Sequence, residues 1–309
     1  MEMKNVKLDW APILEGQIKS LESLYPDIPV RKSFEGLIQE LNANRLKSRV
    51  ILSGINVSAY AFVAPSTDYG DRIYGSIGFT DPSFATEERL SNLLAWLEDM
   101  ARLQRKYLMI DKMFNAEGLE EKYLQSHGFT KFRRDRMTLD LGDYKIQENN
   151  QIGAEQSVPI TKIRPEAYSE AQFQAYTGSV DQILFNSVDP KERLSFVKKM
   201  FDGRYGMILK DASTVLTADG RIIGASVCTD YKTLKDTRTS LLVDIFVNKE
   251  FRGKGYAGKL LKISLNGLKK LGFEECQLWV SAGNPATKLY EKAGFKQSGT
   301  SEIFYYKKP

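Results

Sequence analysis

The sequence predicts an α/β (α+β) chain built from two copies of one domain joined by a short linker. Three observations carry that expectation. The segment Gly142–Gln156 is polar, holds only Ile146 and Ile152 as strong aliphatics, shows no periodicity, and divides the 309 residues almost in half. Apolar patterning gives the same order of helices and strands on both sides, apart from one extra short strand opening the second half. Landmarks keep their spacing: Phe84 to Phe129 is 45 residues and Phe251 to Phe295 is 44. Shared order with shared spacing reads as an internal repeat. The expected boundaries are 1–142, a linker at 143–156, and 157–309.

In the second half, Pro159–Ile163 is a short strand candidate, and Glu166–Tyr176 and Pro190–Phe201 read as helices. Asp189 as N-cap with Pro190 at the first helical position is a strong start signal. Two apolar strands, Thr214–Thr217 and Ile222–Thr229, flank the hairpin turn signal Asp219-Gly220. Ser240–Val247 is almost continuously apolar, as expected for a central strand. Gly258–Leu271 carries leucines at 260, 261, 265 and 268, with lysines on the opposite side and Gly272 as cap. A strand at Glu275–Ser281, a helix at Pro285–Ala293 and a strand pair at Phe295–Gly299 and Ile303–Lys307 complete the half.

The first half repeats this order. Helices at Ala11–Leu24 and Lys32–Leu41 precede strands at Ser48–Ser53, Ser58–Val63 and Arg72–Phe79. A long helix at Glu87–Leu103, a strand at Tyr107–Ile110, a helix at Ala116–Ser126 and strands at Phe129–Phe132 and Arg136–Leu141 follow.

Composition narrows the chemistry. Hydrophobic content of 42% and charged content of 27% are those of an ordinary globular protein. No apolar run reaches the ~18 residues of a membrane span. Met1–Trp10 is charged and has no apolar core, so no secretory signal is read there and a cytoplasmic protein is expected. Net charge is +5, which favours an anionic ligand mildly and is too small to argue for nucleic acid. Cys228 and Cys276 lie in strand-like runs without Cys-x-x-Cys spacing and read as reduced, buried thiols. His127 is the single histidine, which excludes a His-clustered metal site and leaves almost no room for a Ser-His-Asp triad. No metal is expected.

The segment that carries chemistry is Asp244–Leu261. A strand ends near Val247, and Gly253 and Gly255 then open a helix. Glycines let backbone N–H groups approach a ligand, and the unpaired N–H groups and dipole of a helix N-terminus favour phosphate. Arg252, Lys254 and Lys259 add positive charge. Glycine spacing alone leaves alternatives open. Gly253, Gly255 and Gly258 fit a dinucleotide fingerprint, but after three hairpin-spaced strands rather than at the start of a βαβ unit. Gly253 to Lys259 approaches a P-loop, but Leu260 stands where a hydroxyl must be. A glycine turn that merely lets a helix pack is the third alternative.

The fuller pattern is more specific. Arg252, Gly255 and Ala257 in the order Arg-x-x-Gly-x-Ala, followed by an amphipathic helix, resemble the acetyl-CoA-binding segment of the GNAT superfamily of N-acetyltransferases. A second stretch, Asn284-Pro-Ala-Thr-Lys-Leu-Tyr290-Glu-Lys-Ala-Gly-Phe295, resembles that family's downstream signature. Lys249 departs from the family, where many members have proline. The resemblance covers about Pro159–Lys308.

It implies two tandem GNAT-like domains, each a mixed, mostly antiparallel sheet flanked by helices, with a splayed strand pair for acyl-CoA. Backbone groups of Ile245, Phe246 and Val247 would hold pantetheine as an added strand. The N–H groups of Arg252, Gly253, Lys254, Gly255, Tyr256, Ala257 and Gly258, with Lys259 nearby, would hold the pyrophosphate, and Asn284 would contact the pantetheine arm. Tyr290 would protonate the leaving thiolate. Asp244 is the nearest carboxylate and reads either as general base through a water or as a salt-bridged strand residue. The implied reaction is acetyl transfer from acetyl-CoA to a primary amine by direct attack; a non-catalytic acyl-CoA-binding regulator is the alternative. The acceptor pocket is expected around 173–201 and 231–238, including Phe173, Tyr176 and Phe185.

The repeat also shows what the first half lacks. Ala85 falls on Arg252, Glu87 on Lys254, Glu88 on Gly255, Arg89 and Leu90 on Tyr256 and Ala257, Gly118 on Asn284, and Leu124 on Tyr290. Two carboxylates where phosphates would bind repel the cofactor. The expected first half is therefore a degenerate domain that binds no acetyl-CoA, an arrangement known in the family, with His127 structural.

Overall fold

The computed structural model describes residues 8–66, 68–148, 154–182 and 189–308. Ile152 and Phe185, singled out above, and part of the linker lie outside the described residues. The chain forms two compact units, Met1–Arg133 with Glu302–Pro309, and Arg134–Ser301.

Unit 1 contains α1 (Trp10–Leu24), α2 (Val30–Asn42), β1 (Lys47–Ser53), β2 (Asn56–Pro65), β3 (Arg72–Phe79), α3 (Glu87–Gln104), β4 (Tyr107–Asp111) and α4 (Glu120–Ser126). β1, β2 and β3 pair antiparallel in sequence, and β4 joins β3 in parallel. Leu90, Leu93, Leu94 and Leu97 recur at helical spacing along α3 and are buried against the sheet residues Ala59, Ala61, Ile73 and Ile77. A separate core forms where Trp10, Leu14 and Ile18 of α1 meet Tyr60 and Phe62. Tyr60 is fully buried and donates its hydroxyl to Gln17 Oε1 at 2.8 Å, so its polar tip is satisfied.

The chain next enters β5 (Thr130–Asp140) and then β6 (Gln156–Pro159), α5 (Pro165–Tyr176), α6 (Pro190–Phe201), β7 (Thr214–Ala218), β8 (Arg221–Asp230), β9 (Thr239–Val247), α7 (Tyr256–Lys270), β10 (Glu275–Ser281), α8 (Thr287–Lys292) and β11 (Lys296–Lys307). In unit 2 the sheet order is β6-β7-β8-β9-β10-β5. Neighbours are antiparallel except β9 and β10, which pair in parallel over Thr239–Leu241 and Glu275–Gln277. Leu260, Leu261, Leu265 and Leu268 form the buried stripe of α7 that the sequence shows.

Several expectations shift by a few residues. The first strand of unit 2 ends at Pro159, and Ile160–Lys162 is a 3-10 turn rather than strand. Pro159 lacks the N–H that a ladder needs. α7 begins at Tyr256, two residues before the expected start, because Gly255 adopts the left-handed conformation and serves as N-cap. α4 and α8 start at Glu120 and Thr287, later than expected.

The closing strand pairs expected in each half are single long strands, β5 and β11. Neither run contains the Asn-Gly or Asp-Gly turn that folds a strand back on itself. Arg134–Asp140 pairs with β10 within unit 2, and Phe304–Lys307 pairs with β4 within unit 1. The unit boundaries therefore fall inside β5 and β11, not at the polar segment. That segment is anchored in unit 2: Asn266 of α7 accepts from Gln147 N at 3.0 Å and donates to Gln147 O at 2.7 Å. Among the described residues no helix is long and apolar enough to cross a membrane.

Gly267 sets how closely α7 approaches the 3-10 turn Lys210–Ala212. A methyl group there would lie 2.1 Å from Asp211 O and 2.7 Å from Ala212 Cα. Replacing a helix-interior glycine by alanine ordinarily stabilises by about 1 kcal/mol. Here Gly267→Ala is expected to destabilise by about 1–3 kcal/mol through overpacking against backbone. Urea denaturation should show a lowered midpoint with unchanged slope; a raised midpoint contradicts the packing argument.

Candidate active site

A cavity of about 750 Å³ opens in unit 2 between α5, β9, β10 and the N-terminus of α7. Its wall includes Asp244, Ile245, Phe246 and Val247 from β9, with Leu278, Trp279 and Val280 from β10. These residues follow the stretch over which the two strands pair. β9 keeps its antiparallel partner β8 through this region, from Val227–Asp244 to Gly224–Val247.

One part of the cavity wall is the glycine turn. Gly253 and Gly255 have φ of +77° and +88°, a conformation that disfavours any side chain. Among the described residues no side chain caps α7, so its first-turn N–H groups are the ones a helix leaves without an internal acceptor. Gly253, Gly255, Tyr256, Ala257 and Gly258 all line the cavity. The sequence supplies a glycine where a capping serine or aspartate would otherwise stand, which keeps those donors open to an anion.

The three cations expected around the turn behave differently. Arg252 lines the cavity, but its guanidinium is held by backbone: Nε donates to Val247 O at 3.0 Å and Nη2 to Ala175 O at 2.6 Å. It therefore ties the end of α5 and the end of β9 to the turn while adding charge beside it. Lys254 lies over the Phe251 ring at 5.4 Å from its centroid. Lys259 forms an ion pair with the buried Glu155. Neither lysine is part of the cavity wall.

Another part of the wall includes Tyr290 and Asn284. Tyr290 is on α8 at the wall, 6% exposed, with its ring edge-on to Phe295. Burial, with the nearby carboxylates of Asp181 and Asp244, pushes its phenol well above the usual tyrosine range. It thus stays protonated at neutral pH. Asn284, also on the wall, donates to Asp181 Oδ2 at 2.7 Å and caps the turn before α8 by accepting from Ala286 N at 2.8 Å.

Asp244 is a buried carboxylate on the cavity wall. Its Oδ2 accepts from Tyr168 Oη at 2.7 Å and from Gln172 Nε2, and its Oδ1 accepts from Tyr176 Oη at 2.7 Å. The donors fall four residues apart on α5, so one helical face converges on one carboxylate. Desolvation raises the Asp244 carboxyl above its ordinary range, opposed by Arg193 and by the three hydrogen bonds. Burial likewise raises the Tyr168 and Tyr176 phenols, and the Asp244 charge adds to that rise. Arg193 of α6 is fully buried at the wall, its guanidinium 4.7 Å from the Phe196 ring centroid and 5.7 Å from that of Tyr176.

Sequence reasoning names none of Gln172, Asp181, Arg193 and Arg134 individually, although Asp181 and Arg193 fall within the stretch 173–201 expected to form the acceptor pocket. Tyr168, Gln172 and Tyr176 carry a legible signal, polar residues at four-residue spacing on a face that packs inward. Asp181 lies in a turn with no motif around it.

The repeat offers an internal comparison. In unit 1, α3 starts with Glu87 and Glu88, and the Thr86 hydroxyl caps it by accepting from Arg89 N at 3.3 Å. Along the repeat Gly78 falls on Ile245 and Phe114 on Val280. Gly78 and Phe114 are bridged there: Phe79 N donates to Phe114 O at 3.0 Å and Phe114 N to Ile77 O at 3.2 Å. Ile77 and Leu124, at the Asp244 and Tyr290 positions, are buried in the core.

Residues 210–297 match the family model of the acetyltransferase (GNAT) domain. The match lies wholly within unit 2. A comparison with curated protein sequences gives no match. Among solved structures, the chain is similar to a GCN5-related N-acetyltransferase from Sphaerobacter thermophilus, with TM-score 0.61 and 15% identity over 99% of this chain and 95% of that one. It is also similar to the glucosamine N-acetyltransferase region of a fungal multi-domain β-N-acetylglucosaminidase, with TM-score 0.56 and 14% identity over 95% of this chain and 37% of that one. A tandem GNAT protein of the clavulanic acid biosynthesis pathway aligns at TM-score 0.47 and 16% identity over 85% of this chain and 82% of that one. At these identities the first two likenesses define a shared fold along the whole chain.

The Asp244 cluster predicts a stability effect. Asp244→Asn turns one acceptor oxygen into a donor facing hydroxyls and an amide that need acceptors. A loss of about 1–3 kcal/mol per unsatisfied buried group is expected, read by urea denaturation. Wild-type stability would contradict the assignment of Asp244 as the anchor of α5.

Proposed function

We propose that unit 2 is an acetyl-CoA-dependent N-acetyltransferase that moves an acetyl group to a primary amine by direct attack. The observation that carries this reading is one cavity whose wall holds both a helix N-terminus with no side-chain cap among the described residues and the buried Tyr290. The two chemistries an acyl-CoA needs, anion binding and a proton for sulfur, are supplied in a single cleft.

In this reading the N–H groups of residues 253–258 hold the pyrophosphate, and Arg252 keeps the turn in place against α5 and β9. Lys259 acts indirectly, through its pair with Glu155. β9 and β10 part beyond their short parallel ladder, and the backbone of Ile245–Val247 pairs with the pantetheine amides as a strand would. Backbone N–H from the same stretch polarises the thioester carbonyl. Acetyl-CoA supplies the acetyl group as a substrate. Tyr290 gives its proton to the departing sulfur and regains one as the new amide nitrogen loses its extra proton. Asp244 serves as the anchor that fixes Tyr168, Gln172 and Tyr176, because its lone pairs already face three donors.

Unit 1 takes no acyl-CoA in this reading. Its equivalent cleft is bridged by Phe114, its helix start is capped by Thr86, and Glu87 and Glu88 repel phosphate. One active site per chain follows.

The direct test is release of free thiol from acetyl-CoA in the presence of an amine panel. Tyr290→Phe is expected to lower kcat about 10²-fold or more while acetyl-CoA affinity stays near wild type. Because the phenol is held well above its ordinary range, kcat should show no alkaline decline from Tyr290 across the range in which a free tyrosine titrates. A Tyr290→Phe enzyme with wild-type kcat removes tyrosine from the mechanism. Tight acetyl-CoA binding without thiol release for any amine removes the catalytic reading.

A further inference from the structure

Two buried carboxylates share the unit 2 cavity wall, and their surroundings differ. Asp244 faces three donors from a single helix. Asp181, in the turn after α5, is 6% exposed and carries one side-chain hydrogen bond on each oxygen, from Ser281 Oγ to Oδ1 and from Asn284 Nδ2 to Oδ2. A carboxylate has about four lone-pair positions, so roughly half of those on Asp181 are unfilled by the described residues. Its two partners belong to the end of β10 and the turn that leads into α8, the helix of Tyr290. Its charge is the largest influence after burial on the raised Tyr290 phenol, which places the two side chains in electrostatic reach.

The cavity also presents an acceptor with nothing to accept. Gln172 is 1% exposed and on the same wall; its Nε2 binds Asp244, while its Oε1 has no hydrogen-bond partner among the described residues. Buried polar atoms are satisfied as a rule. An orphan acceptor on the same wall as a carboxylate with open lone pairs suits a guest that brings N–H donors and positive charge.

We propose that Asp181 receives the primary ammonium of the acceptor and removes its proton, acting as the general base of the acetyl transfer. This inference rests on the acyltransferase reading above. Asp181 takes one proton from R–NH3⁺ to give R–NH2. The nitrogen lone pair attacks the thioester carbonyl carbon, the C–N bond forms and the C–S bond breaks. Sulfur takes the Tyr290 proton, the acyl-ammonium nitrogen returns one proton to Tyr290, and protonated Asp181 releases its proton to solvent. The sum is R–NH3⁺ plus thioester giving amide, thiol and one proton. The acceptor class follows: an amine that is a cation in solution, with a side of the molecule that tolerates the Trp279 and Phe196 rings on the same wall.

The test uses the full chain, acetyl-CoA, and benzylamine, tyramine, glycinamide and spermidine as amine probes. Wild type, Asp181→Asn and Asp181→Glu are compared by thiol release. Near neutral pH, Asp181→Asn is expected to lose about 10²-fold or more in kcat/KM for the amine, the usual scale of a general base. KM for acetyl-CoA should not change, and Asp181→Glu should recover part of the loss. The Asp181→Asn deficit should shrink as pH approaches the pKa of the amine, since the base is then unnecessary. That readout follows the titration of the amine. The other charged and titratable groups on the cavity wall, Arg134, Tyr176, Arg193, Asp244, Arg252, Tyr256 and Tyr290, are identical in all three enzymes. Acetyl-CoA binding followed by calorimetry confirms that each variant is folded; if Asp181→Asn is not, Asp181→Ser replaces it. An Asp181→Asn enzyme within about threefold of wild type, or a deficit independent of pH, overturns the inference and leaves the acyltransferase reading standing. A wild-type enzyme that releases no thiol with any probe overturns both.

Discussion

The unit 2 site depends on the buried carboxylate of Asp244. It stands on the central strand of its sheet and accepts hydrogen bonds from Tyr168, Gln172 and Tyr176, three successive turns of α5. A carboxylate in a low-dielectric interior is costly unless its lone pairs are filled. The helix fills them, so α5 is located in register as well as packed. Arg252 extends the same tie from the helix end, with one nitrogen on Ala175 O and another on Val247 O. The glycine turn, the central strand and α5 are thereby fixed together, and the cavity is what lies between them.

The two units show what makes that cavity a site rather than a gap in packing. They share a strand order and differ where chemistry is at stake. Unit 1 has a core isoleucine and a core leucine at the Asp244 and Tyr290 positions, Ile77 and Leu124, and both are buried. Its parallel strands are reconnected by the Gly78–Phe114 bridge. Filling the cleft with apolar side chains and backbone pairing removes the need for a buried charge, and with it the polar network. The fold tolerates both solutions because the load of each unit rests on the leucine face of its long helix.

Much of this was legible in the sequence. The helices that border the cavity and the strands β9 and β10 were placed to within a few residues by periodicity and punctuation, and the glycine turn and Tyr290 came from local pattern. The exchange of chain segments at β5 and β11 was not, because strand partners are chosen by tertiary contact and a run such as Thr130–Asp140 reads the same whichever sheet it joins. Arg252 and Lys259 were expected to act by charge; their ties to Val247 O, Ala175 O and Glu155 depend on residues 5 to 104 positions away. Asp181 was invisible for a similar reason. Its meaning comes from Ser281 and Asn284, 100 and 103 residues on.

The central claim is that the cradle at residues 252–258 binds acetyl-CoA and that its counterpart in the other unit does not. Calorimetric titration of the full chain with acetyl-CoA tests it most directly. The account predicts a stoichiometry of one per chain and loss of binding in Gly255→Glu, which places at the cradle the residue type that Glu88 already provides in unit 1. Two sites per chain, or full binding by Gly255→Glu, would contradict it.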